Sequence, residues 1–174
     1  TPTSASVAMG RTLTNAATSS LPAGGAITYA SATPGVATVN STTGAITPVG
    51  TGTSVITATQ AASSGVNAQA TQTYTLSVNA ELTASASSAS YTLTQNSGTG
   101  LPFTPVTGSG GTGTRAFALY NQANTAPATL PAGLSFSPST GQITGSSTVA
   151  QGPTGYTVRV TDQSTNPATA TAIF

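Results

Sequence analysis

The side chains that could do chemistry in this chain are few and far apart. The 174 residues include three basic residues, two acidic residues and neither His nor Cys. The charged residues are Arg11, Glu81, Arg115, Arg159 and Asp162. Enzymes generally need a group that titrates near neutral pH, a thiolate or paired carboxylates, and a serine nucleophile needs a base such as His or Lys. We therefore predict no catalytic residue and no cofactor-binding residue, and hence a protein that is not an enzyme.

One stretch matches a cofactor motif in its letters only. Residues 108–113 have the sequence GSGGTG, which fits the G-x-G-x-x-G pattern of dinucleotide-binding proteins. That motif works between a strand and a helix, with an acidic residue about 20 positions further on. Here the strand-like sequence RAFALY follows at 115–120, and the next acidic residue is Asp162. The glycines therefore predict a loop between two strands.

The charge content also excludes two classes of partner. Binding of nucleic acid depends on clustered Lys and Arg that neutralise phosphates, and anionic membrane surfaces require similar clusters. Three scattered arginines cannot form such a cluster. The chain also has no apolar run near the ~18 residues that suggest a membrane span. We predict no nucleic-acid partner and no membrane insertion.

The hydrophobic residues follow the pattern of an all-β protein. Short alternating runs recur between turns rich in Gly, Pro, Asn and Ser, which is typical of strands. The clearest runs are YTLSV at 74–78 and YTVRV at 156–160, and their alternation predicts that Thr157 lies on the exposed face. Further strands are predicted around 27–29, 36–39, 46–49, 54–59, 91–93, 103–107, 115–120, 134–136, 143 and 168–174.

An internal echo predicts two related units. TGAIT at 43–47 recurs as TGQIT at 140–144, and Gly suits the positive φ of a tight turn that leads into an inward-facing Ile. Only 5% of the residues are aromatic, so two small cores suit the composition better than one large core. We predict domains at 1–79 and 80–174.

The residues of each half resemble a family of immunoglobulin-like modules. The first half carries VATVN at 36–40, TGAITPVGTG at 43–52 and VITAT at 55–59, and so resembles the bacterial immunoglobulin-like domain of group 2 over most of 5–79.

The second half carries LPAGLSF at 130–136, STGQITG at 139–145 and YTVRVTD at 156–162. It resembles the "putative Ig" (cadherin-like) modules of bacterial surface proteins over about 100–174. The two resemblances imply two immunoglobulin-type β-sandwiches in tandem, and they imply no catalytic residue.

The implied fold predicts where the charged residues gather. The start of the first strand, the B–C loop and the F–G loop share one end of an immunoglobulin-type sandwich. Glu81, Arg115 and Asp162 would meet at that end of the second domain, and Arg11 would lie at the facing end of the first. We predict an interdomain junction formed by these residues. A calcium site using Glu81 and Asp162 is the metal alternative, but calcium takes ~6–8 oxygen ligands.

The sequence therefore predicts a non-catalytic structural or adhesive module: a stalk or spacer segment of a bacterial extracellular adhesin or fibre. Its predicted partners are neighbouring immunoglobulin-like domains or copies of itself, with host or surface glycans or proteins as further candidates. One alternative is a subunit of a self-assembling extracellular filament or surface layer, since unpaired strand edges are templates for pairing. Another is a carbohydrate-binding module, which would need exposed aromatic rings in a chain without Trp.

Overall fold

The computed structural model describes residues 3–19, 25–63, 68–164 and 167–174, and all regular secondary structure in these residues is β-strand. The chain divides into two compact units, Thr1–Glu81 and Leu82–Phe174. This division falls two residues after the predicted domain boundary. Residues 1–2, 20–24 and 64–67 of the first predicted domain, and 165–166 of the second, lie outside the described residues.

Unit 1 contains two sheets whose strands pair antiparallel, except that β1 pairs parallel with β7. The sheets have the strand orders β1-β7-β6-β3 and β2-β5-β4. The first and last strands of the unit are parallel neighbours. The strands are β1 (Ser4–Ala8), β2 (Leu13–Thr14), β3 (Ile27–Ser31), β4 (Ala37–Val39), β5 (Ala45–Pro48), β6 (Gly52–Gln60) and β7 (Ala70–Asn79).

The core of unit 1 takes residues from both of its sheets. The predicted buried face of β7 is confirmed, because Tyr74, Leu76 and Val78 are all buried. Alternate residues of a strand point to the same side, so the period of two in this run is what buries them together. The other buried members of the cluster are Val7, Ala37, Ile46 and Ile56.

Unit 2 repeats this style with shorter strands. Its sheets have the orders β10-β13-β14, β8-β9 and β11-β12. Phe103 and Ile143 exchange two backbone hydrogen bonds, of 3.1 and 2.8 Å, which join the segment before β9 to β12. The strands are β8 (Thr83–Ala86), β9 (Val106–Ser109), β10 (Ala116–Asn121), β11 (Leu134–Phe136), β12 (Ile143–Gly145), β13 (Tyr156–Thr161) and β14 (Thr169–Ile173).

Strand β13 lies at the centre of unit 2 and is covered on both faces. The predicted burial of Tyr156, Val158 and Val160 is confirmed. The prediction that Thr157 is exposed is wrong, because this residue is only 2% exposed. The Thr157 hydroxyl donates a 2.9 Å hydrogen bond to the carbonyl of Gln122, which lies just beyond β10. The alternation of residues within β13 could not predict this hydrogen bond, because Gln122 is distant from Thr157 in the sequence.

Two predicted strands differ in the structure. Residues 91–93 alternate in polarity but form no strand. The strand predicted at 103–107 begins only at Val106, and Phe103 forms an isolated bridge. Pro102 and Pro105 flank that bridge, and proline has no N–H to donate to a ladder.

The sequence echo corresponds to the same turn in both units. Gly44 and Gly141 have φ values of 72° and 71°, which confirms the predicted positive φ. The amide of Gly44 donates to the Asn40 carbonyl at 3.0 Å, and the amide of Gly141 donates to the Ser137 carbonyl at 2.8 Å. Each turn therefore closes with the same hydrogen bond, and a buried Ile follows each glycine two residues later.

Replacing Val158 by Ala should lower the free energy of unfolding by about 2–4 kcal/mol, through lost burial and the cavity left behind. Val158 is fully buried, whereas Val55, also in the middle of a strand, is 43% exposed. Val55→Ala is the matched control and should change stability by less than about 0.5 kcal/mol. Urea unfolding measures both variants, and equal losses would contradict the assignment of the core.

Candidate functional site

The most strongly bonded charged group in unit 2 is the carboxylate of Asp162. It is 3% exposed and follows the end of β13 directly. Oδ2 accepts a hydrogen bond from the amide of Thr112 at 2.8 Å. Oδ1 accepts from the amide of Ala168 at 2.8 Å and from the Ser164 hydroxyl at 2.9 Å. The carboxylate therefore joins the β9–β10 loop to the β13–β14 loop.

The glycine run is what allows the β9–β10 loop to approach this carboxylate. Gly110, Gly111 and Gly113 all have positive φ, a conformation that L side chains rarely adopt. A methyl group added at Gly111 would lie 3.0 Å from the Cβ of Asp162. A strand, β10, follows the loop, so the structure confirms the predicted loop between strands.

Opposing effects set the pKa of Asp162. Burial alone raises it, but the hydrogen bonds from Thr112, Ala168 and Ser164 stabilise the charged form and outweigh burial, so the pKa is lowered from its ordinary value. Asp162 is therefore ionised in the folded protein at neutral pH, and its charge is balanced by N–H and O–H dipoles. Its role is to hold two loops in place.

The predicted junction residues divide between the units. In unit 1, Arg11 lies in the turn after β1, and its amide donates to the Ala8 carbonyl at 3.2 Å. The Glu81 carboxylate lies against Gly10 of the same turn, with Oε1 at 3.7 Å from the position of an added Cβ. In unit 2, the Nη1 of Arg115 donates to the carbonyl of Gly110 at 3.0 Å. A junction formed by all four residues stays a prediction.

The calcium alternative has a weak donor set. Within the described ranges, no group of three or more His, Cys, Asp or Glu residues could hold a metal ion. Both oxygens of Asp162 already accept hydrogen bonds from N–H or O–H groups. Glu81, the second carboxylate of the predicted calcium site, belongs to the other unit.

The third arginine, Arg159, lies apart from this loop site. Its guanidinium carbon is 4.0 Å from the centre of the Tyr120 ring, and Nη2 donates to Oδ1 of Asn124 at 3.1 Å. A cation over an aromatic face is stabilised by the ring quadrupole. Its partners come from β10 and the residues that follow it, so this arginine fastens β13 to its neighbour.

A second candidate site in unit 2 is a cavity that the sequence reasoning missed. It has a volume of about 890 Å³ and is lined by the aromatic residues Tyr91, Phe103, Tyr156 and Phe174. Burial raises the pKa of the Tyr156 phenol, so this ring is neutral at physiological pH. The rings come from four distant parts of the chain, and no local sequence pattern could have grouped them.

Neither site has the parts of a catalytic centre. The chain contains no His, and its three basic residues are arginines, which stay protonated in proteins. The carboxylate of Asp162 is occupied by hydrogen bonds, and the lining residues of the cavity include no charged side chain. The hydroxyl groups that line the cavity therefore have no neighbouring base to activate them.

The fold and these sites define the class of protein. Each unit packs strands of separate sheets around its own core, and all regular secondary structure in the described residues is β-strand. This arrangement is typical of immunoglobulin-like modules. Residues 55–174 match the family described as "Putative Ig domain", and the match covers more than half of the chain. The chain belongs to this family. Immunoglobulin-like families are generally non-enzymatic and typically extracellular.

The family match extends beyond the residues that carried the resemblance. It begins at Val55, within β6 of unit 1, and so includes β6 and β7 as well as all of unit 2. The resemblance of 5–79 to the group 2 family stays a prediction. No curated protein sequence matches the chain.

Several solved structures are similar at low identity. A C-terminal 282-residue fragment of intimin, solved with the intimin-binding domain of its translocated receptor, is 21% identical with a TM-score of 0.42. The match covers 85% of this chain and 50% of that chain. The I-band fragment I67–I69 of titin is 14% identical with a TM-score of 0.46, and 97% of this chain and 61% of that chain are covered.

Mouse cadherin-23 EC22–24 is 15% identical with a TM-score of 0.39, and the match covers 84% of this chain and 50% of that chain. The chain thus spans about half the length of the cadherin and intimin chains that it matches. In the part of the chain that the structure describes, no helix is long and apolar enough to cross a membrane.

Replacing Asp162 by Asn should lower the free energy of unfolding at pH 7 by about 1–3 kcal/mol, because the new amide N–H₂ would meet N–H donors in a buried site. Folding lowers the pKa of Asp162, so its ionised carboxylate stabilises the folded state. The wild type has this stabilisation in full above about pH 4, near the ordinary pKa of a carboxyl group, and loses it as the pH falls through the pKa of the folded state. Asp162→Asn should therefore lose less stability than the wild type between pH 5 and pH 2.

Urea unfolding across this pH range measures the effect. Glu81→Gln is the matched control, since it removes the other acidic side chain of the chain, which is exposed. It should stay within about 0.5 kcal/mol of the wild type at pH 7. An Asp162→Asn protein as stable as the wild type at pH 7, with the same loss in acid, would contradict the role given to this carboxylate.

Proposed function

We propose that this chain is a non-catalytic structural and adhesive module, a stalk or spacer segment of a bacterial extracellular adhesin or fibre, built from two immunoglobulin-like β-sandwiches in tandem. The observation that carries the proposal is the repeated turn, in which the same hydrogen bond and the same glycine conformation recur in two units with separate cores. Repetition of a self-contained unit is how a chain spans distance without enlarging one core.

The strand arrangement of unit 1 suits resistance to a mechanical force applied along the chain. β1 and β7 are parallel neighbours paired from Ser4↔Thr75 to Ala8↔Asn79. A force that pulls the start of β1 away from the end of β7 slides the two strands past each other. The hydrogen bonds of a parallel pair are evenly spaced along the strands, so such a force loads them together.

The low charge content suits a role outside the cell that does not depend on pH. The described charged side chains of unit 2 are held by local hydrogen bonds or an aromatic face. No side chain has an ordinary pKa between about 5 and 9. The proposed partners are neighbouring immunoglobulin-like domains or copies of this chain, with host or surface proteins or glycans as the adhesive targets.

A specific observation supports the filament alternative. β14 lies at the edge of its sheet and pairs with β13 on one side. Tyr156 and Phe174 exchange both of their backbone hydrogen bonds, so by alternation the N–H groups of Thr169, Thr171 and Ile173 point away from β13. β8 packs close to β14 without a hydrogen-bonded ladder to it. An edge whose N–H groups have no ladder partner is a template for adding a strand from another chain.

Electron microscopy of the purified chain separates the two functions. The spacer proposal predicts separate short particles, because a spacer does not need to polymerise in order to span distance. Fibres would contradict the spacer and favour the filament.

The variant Thr171→Pro removes an outward-facing N–H without removing a bond to β13, because proline is tolerated at the open side of an edge strand. Thr171→Val keeps the N–H and is its matched control. Fibres that persist with Thr171→Pro would show that β14 does not mediate assembly. Fibres that are lost with Thr171→Pro and kept with Thr171→Val would establish the filament.

A further inference from the structure

A segment that forms no strand supplies part of the lining of the cavity of unit 2. Residues 88–101 run from the end of β8 towards Phe103. Two hydrogen bonds fasten this segment to the residues after β12: the amide of Asn96 donates to the Ser147 carbonyl at 2.7 Å, and Nε2 of Gln95 donates to the Thr148 carbonyl at 2.9 Å. The part of the lining that this segment supplies is therefore held by specific bonds.

The aromatic residues of the lining form a continuous series of rings. Tyr91 stacks on Phe103 with centroids 4.0 Å apart and meets Phe174 edge-on at 6.2 Å. Phe174 in turn stacks with Tyr156 at 5.8 Å. These four rings are nearly half of the five Tyr and four Phe of the chain. They line a space of about 890 Å³.

The polar residues of the lining are uncharged. Ser90, Thr92 and Gln122 bring hydroxyl and amide groups, as do Gln95, Gln151 and Thr154, whose donors also make hydrogen bonds within the chain. An amide offers two donors and an acceptor with two lone pairs, and a hydroxyl offers one donor with acceptor capacity. No Arg, Asp or Glu lines the cavity. A charged ligand would therefore lose its hydration with no opposite charge to replace it.

We propose that this cavity binds a short neutral oligosaccharide. A sugar ring presents an apolar C–H face and a rim of hydroxyl groups, and the cavity presents aromatic faces beside uncharged amides and hydroxyls. The volume falls within the roughly 300–1,000 Å³ of small-molecule sites, which combine aromatic linings with a few convergent polar groups. A purely apolar ligand would contact the aromatic rings and would form no hydrogen bond with the amide and hydroxyl groups of the lining.

This binding function rests on the adhesive part of the proposed function, whose targets include glycans, and it does not depend on the spacer role. A stalk segment with an empty cavity would still span distance, and a sugar-binding unit 2 could exist in a chain of any shape. Only Tyr29 and Tyr74 among the nine aromatic residues belong to unit 1.

Isothermal titration of the full chain with neutral tetrasaccharides of glucose, mannose, galactose and N-acetylglucosamine tests the proposal. At least one should bind with a Kd below about 1 mM, the weak end of specific recognition, while a heparin tetrasaccharide should not bind. Failure of all four neutral sugars would overturn the proposal. Binding of the apolar dye anilinonaphthalene sulfonate without any sugar would overturn it in favour of an apolar ligand.

Variants locate the binding. Tyr91→Leu keeps an apolar side chain but removes the ring, and should weaken the sugar about tenfold or more, whereas Tyr91→Phe keeps the ring and should bind within a few fold of the wild type. Gln151→Ala removes an amide of the lining and should also weaken binding. Gln72→Ala is its matched control, because Gln72 is an exposed residue of β7 in unit 1. Unchanged affinity in both Tyr91→Leu and Gln151→Ala would show that the sugar binds elsewhere.

Discussion

Each unit of this protein depends on one contact between a turn glycine and an aromatic ring from the facing sheet. In unit 1, a methyl group added at Gly44 would lie 3.0 Å from Cε1 of Tyr29, and the Tyr29 amide donates to the Ser41 carbonyl at 3.0 Å. In unit 2, a methyl group added at Gly141 would lie 2.8 Å from Cδ1 of Phe117. Glycine is therefore required at this position for two reasons, the positive φ and the close approach of a ring.

This contact explains how a chain with few charges and no disulfides joins its sheets. The ring belongs to β3 or β10, and the turn belongs to the strand pair β4–β5 or β11–β12, so each contact links two sheets. The Phe117 amide donates to the Pro138 carbonyl at 2.8 Å, as the Tyr29 amide does to Ser41 in unit 1. The buried Ile46 and Ile143 then follow on the returning strands and enter the two cores.

Function follows from the same scarcity of charge. The chain has no group that could act as a base near neutral pH, and its buried carboxylate, Asp162, is fully used in joining two loops. The units offer other molecules a strand edge at β14 and a cavity lined by aromatic rings and uncharged polar residues. Both features fit the proposed roles in recognition and assembly.

The sequence predicted the features that arise from local order. Alternation located β7 and β13, and the repeated TG-x-IT located the two equivalent turns, because side-chain direction in a strand and positive φ at glycine are local properties. It could not predict that Asp162 is buried, since the donors come from Thr112 and Ala168 in two different loops. It missed the cavity for the same reason, because Tyr91 meets Phe103 and Phe174 only after folding.

If the chain is a structural tandem, its two units hold their folds separately under load. Stretching single molecules by their two ends with an atomic force microscope tests this. We expect two separate unfolding events, each releasing about 25–30 nm of chain, the length expected for units of the size of Thr1–Glu81 and Leu82–Phe174. One event that releases the whole chain at once, or an extension without any resistance, would contradict it.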